Sequence, residues 1–288
     1  MSVQWVHLPG GGTLVASSGG AWIQQPAIAS FGLWGPMTDA LSATAGTTQH
    51  LLDGAIASAE RRAPELRAPQ MTATRWAWEL VAQWYCAHHS VALLPGITQR
   101  YEAAGRRDLA DFARRKLEEE RGHDQFPIAD LRALGYDAEA LVQQIPPAPA
   151  VKAGVDYARA CALGEHPVEF VGYMYALERR VIRIPDDWLT ALDAVLPPGV
   201  NATSGIRLHV RELDVDHVVE AVKFVAALPA DDRTRIAQSC YRITEICCDP
   251  YPRQHPSDAE LQRRLSRFQR AHVNPGRPAA LEKQGDRT

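Results

Sequence analysis

Several things are scarce in this 288-residue chain, and each scarcity excludes a class of protein. No run of about 18 apolar residues occurs, so no membrane-spanning helix is expected. Neither charge dominates. The formal net charge is -3, which gives no basic surface for nucleic acid or anionic lipid. The 5 cysteines include no CxxC pair, so neither a disulfide framework nor a structural zinc knuckle is indicated. The opening "MSVQWVHLPGGG" lacks a basic stretch followed by an apolar core, so no signal peptide is expected and the cytoplasm is the expected compartment. What is present is an ordinary globular balance, 46% hydrophobic and 23% charged, in a chain long enough to bury a large core.

The pattern along the chain is helical almost throughout. Residues 1–45 are the exception: "GGGTLVASSGGAWI" is rich in Gly and Ser around short β-favouring runs and reads as an irregular or hairpin extension. From there, apolar residues recur at helical spacing. Trp76, Leu80 and Trp84 mark one stripe, and Leu109, Phe112 and Leu117 another. Breaks fall at "APELRAP", "IPPAPA" and "LPPG". The fold class expected is all-α, a bundle of roughly seven or more helices over residues 46–255. A last helix and polar tail follow over 256–288, the final stretch expected to be disordered.

One charged segment raises a chemical question. "KLEEERGHDQF" holds Glu120 and His123, the only Glu-x-x-His in the chain. On a helix these two lie about 60° apart around the axis, so both can reach one point inside a bundle. Carboxylate-bridged iron and manganese sites in bundles use this spacing. Alone it is a weak signal, because charged helices produce it by chance. A second pair adds weight: "HVRELDVDH" contains Asp214 and His217 at the same spacing, flanked by Ile206, Leu213, Val218 and Val219. His209, in the same segment, stands about 140° from Asp214 on a regular helix, and a one-residue π-bulge between them would bring it into line. Glu178 follows an aromatic and apolar run ending "YALE", where a carboxylate is costly unless paired or bound to metal. The plainer reading pairs it with Arg179 or Arg180 at the bundle edge.

Together Glu120, His123, Glu178, His209, Asp214 and His217 make a mixed nitrogen and oxygen donor set that suits iron or manganese. The strings "LEEERGHDQFPIADLRALGYD", "YALE" and "HVRELDVDH" resemble the heme-oxygenase-like iron oxidases and oxygenases, the iron-containing redox enzymes related to thiaminase II and pyrroloquinoline-quinone synthase proteins. The resemblance implies a seven-helix heme-oxygenase-like bundle and a non-haem site with two Fe²⁺, or one, using O₂ as co-substrate. It also implies that those six residues are the ligands and that a small organic substrate, amino- or fatty-acid-like, is oxidised. Two departures stand out. Many members place the first histidine seven residues after its glutamate, whereas Phe126 lies seven after Glu119. The chain also has one extra residue between His209 and Asp214.

The competing readings are a thiaminase II-like metal-free hydrolase, a quinone-synthase-like cofactor-free oxidase and a non-catalytic helical scaffold. The first would need an activated thiolate such as Cys86 or Cys161. Beyond the substrate no partner is expected, neither nucleic acid nor membrane, and a homodimer is left open.

Overall fold

The computed structural model describes residues 2–24, 43–63, 69–210, 214–248 and 256–270, with the side chains of 214 and 215 outside the description. The expectations for the middle of the N-terminal extension and for the tail beyond 270 therefore lie outside the described residues.

The extension is a sheet. β1 (Val3–His7), β2 (Thr13–Ser17) and β3 (Gly20–Gln24) form an antiparallel meander in that order. Alternation in β1 buries Gln4 and Val6, while β2 is buried along most of its length because α1 covers it. At the crossing Gly54 of α1 lies against Leu14 and Ala21, and any side chain there would clash with both.

Thirteen α-helices follow among the described residues. They are α1 (Ala45–Glu60), α2 (Ala73–Val91), α3 (Leu94–Ala103), α4 (Arg107–Glu120), α5 (Gln125–Ala133), α6 (Ala138–Gln144), α7 (Pro149–Leu163), α8 (Glu169–Val181), α9 (Asp186–Val195), α10 (Ser204–Leu208), α11 (Asp214–Ala226), α12 (Ala230–Cys248) and α13 (Asp258–Leu265). Seven of them, α1, α2, α4, α7, α8, α11 and α12, run to 13 residues or more, and these carry the bundle. No described helix is long and apolar enough to cross a membrane. Local chemistry sets several starts. Thr44 and Thr47 form a reciprocal capping box at α1, Thr72 accepts from the Arg75 amide at α2, and Ser257 does the same for Glu260 at α13.

The apolar interior divides in two. One core gathers β1, β2 and helices α1, α3, α4, α7, α8, α11 and α12 around Leu51, Phe112, Tyr175, Val222 and Tyr241. The second gathers α2, α5, α6, α9, α10 and α13 around Trp76, Leu131, Leu192, Ile206 and Leu261. The C-terminal helix is thus packed into this core, and Asp137 donates its amide to the Phe268 carbonyl at 2.7 Å just beyond it.

Helix α8 runs unusually close to α12. A Cβ on Gly172 would sit 2.3 Å from the Ile236 carbonyl oxygen and 2.8 Å from Ser239 Cβ, so the backbones themselves would have to part. Gly172→Ala is expected to destabilise the fold by about 3 kcal/mol, at the upper end for overpacking, despite alanine's better helix propensity. Chemical denaturation checks it; an unchanged midpoint would show that the two helices do not approach in this way.

Candidate metal centre

The two cores meet at a polar seam built from α4, α5, α8, α10 and α11. Helix α4 presents Lys116, Glu119 and Glu120 on one face by their three- and four-residue spacing. It then stops at Glu120. Arg121 is extended, and Gly122 takes φ +87°, a left-handed conformation that glycine adopts without strain. His123 therefore stands in the turn before α5 and not, as the spacing suggested, on a continuing helix. The turn returns it to its glutamate: the His123 amide donates to the Glu120 carbonyl at 3.2 Å, and Nδ1 lies 2.8 Å from Glu120 Oε2.

Glu178 enters from α8 and is buried. The bundle-edge alternative is not realised, because Arg179 makes a two-pronged pair with Asp53 of α1 at 2.8 and 2.7 Å, and Tyr175 donates to the same carboxylate. Glu178 turns the other way, placing Oε1 3.3 Å from Lys116 Nζ and 3.8 Å from His217 Nδ1. His217, from α11, lies between three carboxylates: Nε2 is 3.5 Å from Glu119 Oε2 and Nδ1 3.5 Å from Glu120 Oε1.

Donor atoms of Glu120, Glu178 and His217 all lie within 4.8 Å of one another. Ligands about 2.1 Å from one ion are at most about 4.2 Å apart, so small side-chain movements let all three bind a single ion. Two carboxylates and an imidazole suit iron or manganese. The residues present fit one such ion.

The remaining candidates fall as follows. His209 and Val210 have π-helical backbone. The His209 ring stands edge-on to His123 with centroids 4.9 Å apart. Its support is specific: Asp130 of α5 accepts from the Ser204 hydroxyl at 2.7 Å and from the Gly205 amide at 3.2 Å, tying the start of α10 to α5. Asp214 opens α11, and its side chain lies outside the described residues. Val219, expected to help bury α11, is exposed.

Two side chains in the seam were not anticipated, Lys116 and Glu119. Lys116 is only 2% exposed, with Nζ 2.9 Å from Glu119 Oε2 in addition to its contact with Glu178. The sequence signal for them is the three- and four-residue stripe 116, 119, 120, 123, which extends the Glu120–His123 pair back along α4.

The electrostatics are those of a mutually compensated cluster. Burial pushes the Glu120 carboxyl up, but the His123 hydrogen bond, with Lys116 and His217 nearby, outweighs it and holds the group below its ordinary range. Burial likewise disfavours the Lys116 ammonium, and Glu178 and Glu119 more than offset that, raising it.

The described geometry can be set beside known structures. One is a domain of unknown function with a heme oxygenase-like fold from Shewanella denitrificans OS217, at 16% identity and a TM-score of 0.51, spanning 77% of this chain and 90% of that one. The fold is heme-oxygenase-like. A TenA homolog from Pseudomonas syringae pv. tomato DC3000 is similar at 12% identity and a TM-score of 0.51, over 76% of this chain and 97% of its own. No protein-family model matches the sequence, and no curated protein does. The heme-oxygenase-like bundle accounts for the seven long helices, while the N-terminal sheet is built onto α1.

Proposed function

We propose that the protein is a non-haem iron enzyme that uses O₂ to oxidise a small organic substrate. Its ion would be held by Glu120, Glu178 and His217, with His123, His209 and Asp214 as further members of the site. The observation that supports this most is the convergence of those three donor atoms within 4.8 Å at a buried seam between two cores. A bound iron would supply the O₂ chemistry. The chain's own residues do the rest. Glu120 accepts from His123 Nδ1, which leaves the far imidazole nitrogen facing away from the carboxylate, and a carboxylate in that role orients a metal-ligating histidine. Lys116 holds Glu119 by an ion pair and Glu178 by a charge-assisted hydrogen bond. The packed faces of α4, α8 and α11 keep bulk water from the donors.

A second reading, the metal-free hydrolase, is favoured by the likeness to the TenA homolog alone. Its chemistry needs a thiolate. Burial pushes the Cys86 thiol up to about 12, and burial does the same to Cys161, up to about 11, so both stay protonated near neutral pH. The cofactor-free oxidase and scaffold readings leave the gathering of buried Glu178 and half-buried Glu119 and Glu120 around one imidazole without a purpose.

Anaerobic loading with ferrous iron decides between them. One tightly held iron per chain, and oxidation of that iron with O₂ uptake on exposure to air, is expected. Failure to retain any iron after desalting would remove the proposal.

A further inference from the structure

Lys116 is the residue in the seam that a metal site alone does not explain. A buried ammonium is expensive unless its surroundings compensate it. Here it stands on the same helical face as two of the carboxylates, one turn before Glu119 and Glu120, and shares Glu178 Oε1 with His217. That sharing is informative. Two ions in one site lie about 3.5–4 Å apart on either side of a common carboxylate. Nζ and His217 Nδ1 both approach that one oxygen of Glu178, at 3.3 and 3.8 Å, so the ammonium stands where a second cation would draw on the same carboxylate. A second ion would have to draw on Glu119 and Glu178, and Lys116 engages both, at 2.9 Å from Glu119 Oε2 and 3.3 Å from Glu178 Oε1.

We infer that Lys116 is a built-in cation that takes the place of a second metal ion and restricts the site to one. This rests on the reading of the seam as a metal centre, and it adds which of two stoichiometries the chain is built for. Lys116 is then a positioning residue, acting on the ion through Glu178 and Glu119.

Manganese(II) alone is a sufficient probe, because it is read by its own spin without turnover. The full chain, stripped with chelator and titrated with Mn²⁺, is expected to bind one ion per chain by elemental analysis. Its electron paramagnetic resonance should show the hyperfine sextet of an isolated ion. Lys116→Glu is expected to bind two, with an exchange-coupled multiline spectrum and an approximate doubling of metal content. Lys116→Gln, which removes the charge without adding a ligand, is expected to keep one. Two coupled ions in the unaltered protein would overturn the inference and leave the metal reading intact. So would a folded Lys116→Glu variant, verified by circular dichroism, that still binds one. No bound manganese in the unaltered protein would instead overturn the metal reading, and the inference with it. Should Lys116→Glu fail to fold, the spectrum and stoichiometry of the unaltered protein still decide, since coupled ions there are fatal and a single isolated ion is the predicted result.

Discussion

His217→Ala is expected to weaken ferrous iron binding by at least about 100-fold, roughly 2.7 kcal/mol. Among the described residues, no other side chain comes within 4 Å of all three glutamates: the His217 ring is within 3.8 Å of Glu119, Glu120 and Glu178 from its two nitrogens. It is also the only nitrogen in the converging donor set. Removing it strips that three-donor set to its two carboxylates, a poorer match to iron than a mixed nitrogen and oxygen set. Losses of about 10–100-fold are typical when a group merely supporting a ligand is removed, so a ligand itself should cost more. The buried ring also leaves a void, so a modest drop in melting temperature should accompany the loss. Competition with a chelating dye measures the affinity directly. An affinity unchanged within a factor of about three, in a variant that melts cooperatively, would mean the ion is held elsewhere.

Much of this was legible in the residues, and the reasons differ from element to element. The all-α class followed from apolar stripes such as Trp76, Leu80 and Trp84, since burial on one helical face imposes that period whatever the tertiary fold. Glu178 was legible because a carboxylate behind Phe170, Tyr173 and Tyr175 has to be compensated, though the direction it faces was decided by Asp53, more than a hundred residues away, which takes Arg179. The π-helical backbone at His209 and Val210 lies in the stretch where the 140° offset of His209 from Asp214 on a regular helix pointed to a bulge. The end of α4 differs from the continuous helix that the Glu-x-x-His spacing predicts. A glutamate-rich run favours helix up to Gly122, but the left-handed glycine ends it, so the Glu120–His123 pair spans a turn. Lys116 escaped notice because a lysine in a charged helix normally lies in solvent, and only the packing of α8 and α11 over α4 encloses it. The N-terminal sheet could be read as short β-favouring runs, while its integration could not, because its partners are far along the chain.

That integration carries the other large effect: Gln4→Ala is expected to destabilise the protein by about 3–5 kcal/mol, lowering its melting temperature by roughly 10 °C. A change in the second strand-forming residue of a leader that merely lay on the surface would cost almost nothing. Gln4, however, is fully buried, as is Arg233 of α12. The Gln4 amide nitrogen donates to the hydroxyls of Thr47 and Thr48 at 2.8 and 2.9 Å, and its carbonyl accepts from Arg233 Nε at 2.9 Å. Arg233 also donates to the Leu228 carbonyl. One side chain thus joins β1 to the first turn of α1 and to α12. Alanine would take an acceptor from a buried guanidinium and a donor from two buried hydroxyls at once, and the cost of stranding such groups exceeds the net worth of the bonds themselves. Arg233→Met alongside it should restore part of the loss, since a buried polar network removed from both sides costs less than one cut from a single side. A double-mutant cycle by chemical denaturation measures that coupling, and additive losses would show that the two side chains do not communicate. The consequence for the site is indirect but definite. Helix α1 supplies Asp53 to Arg179, and α12 supplies the surface against which Gly172 lets α8 settle, so the orientation of Glu178 depends on helices that β1 ties together.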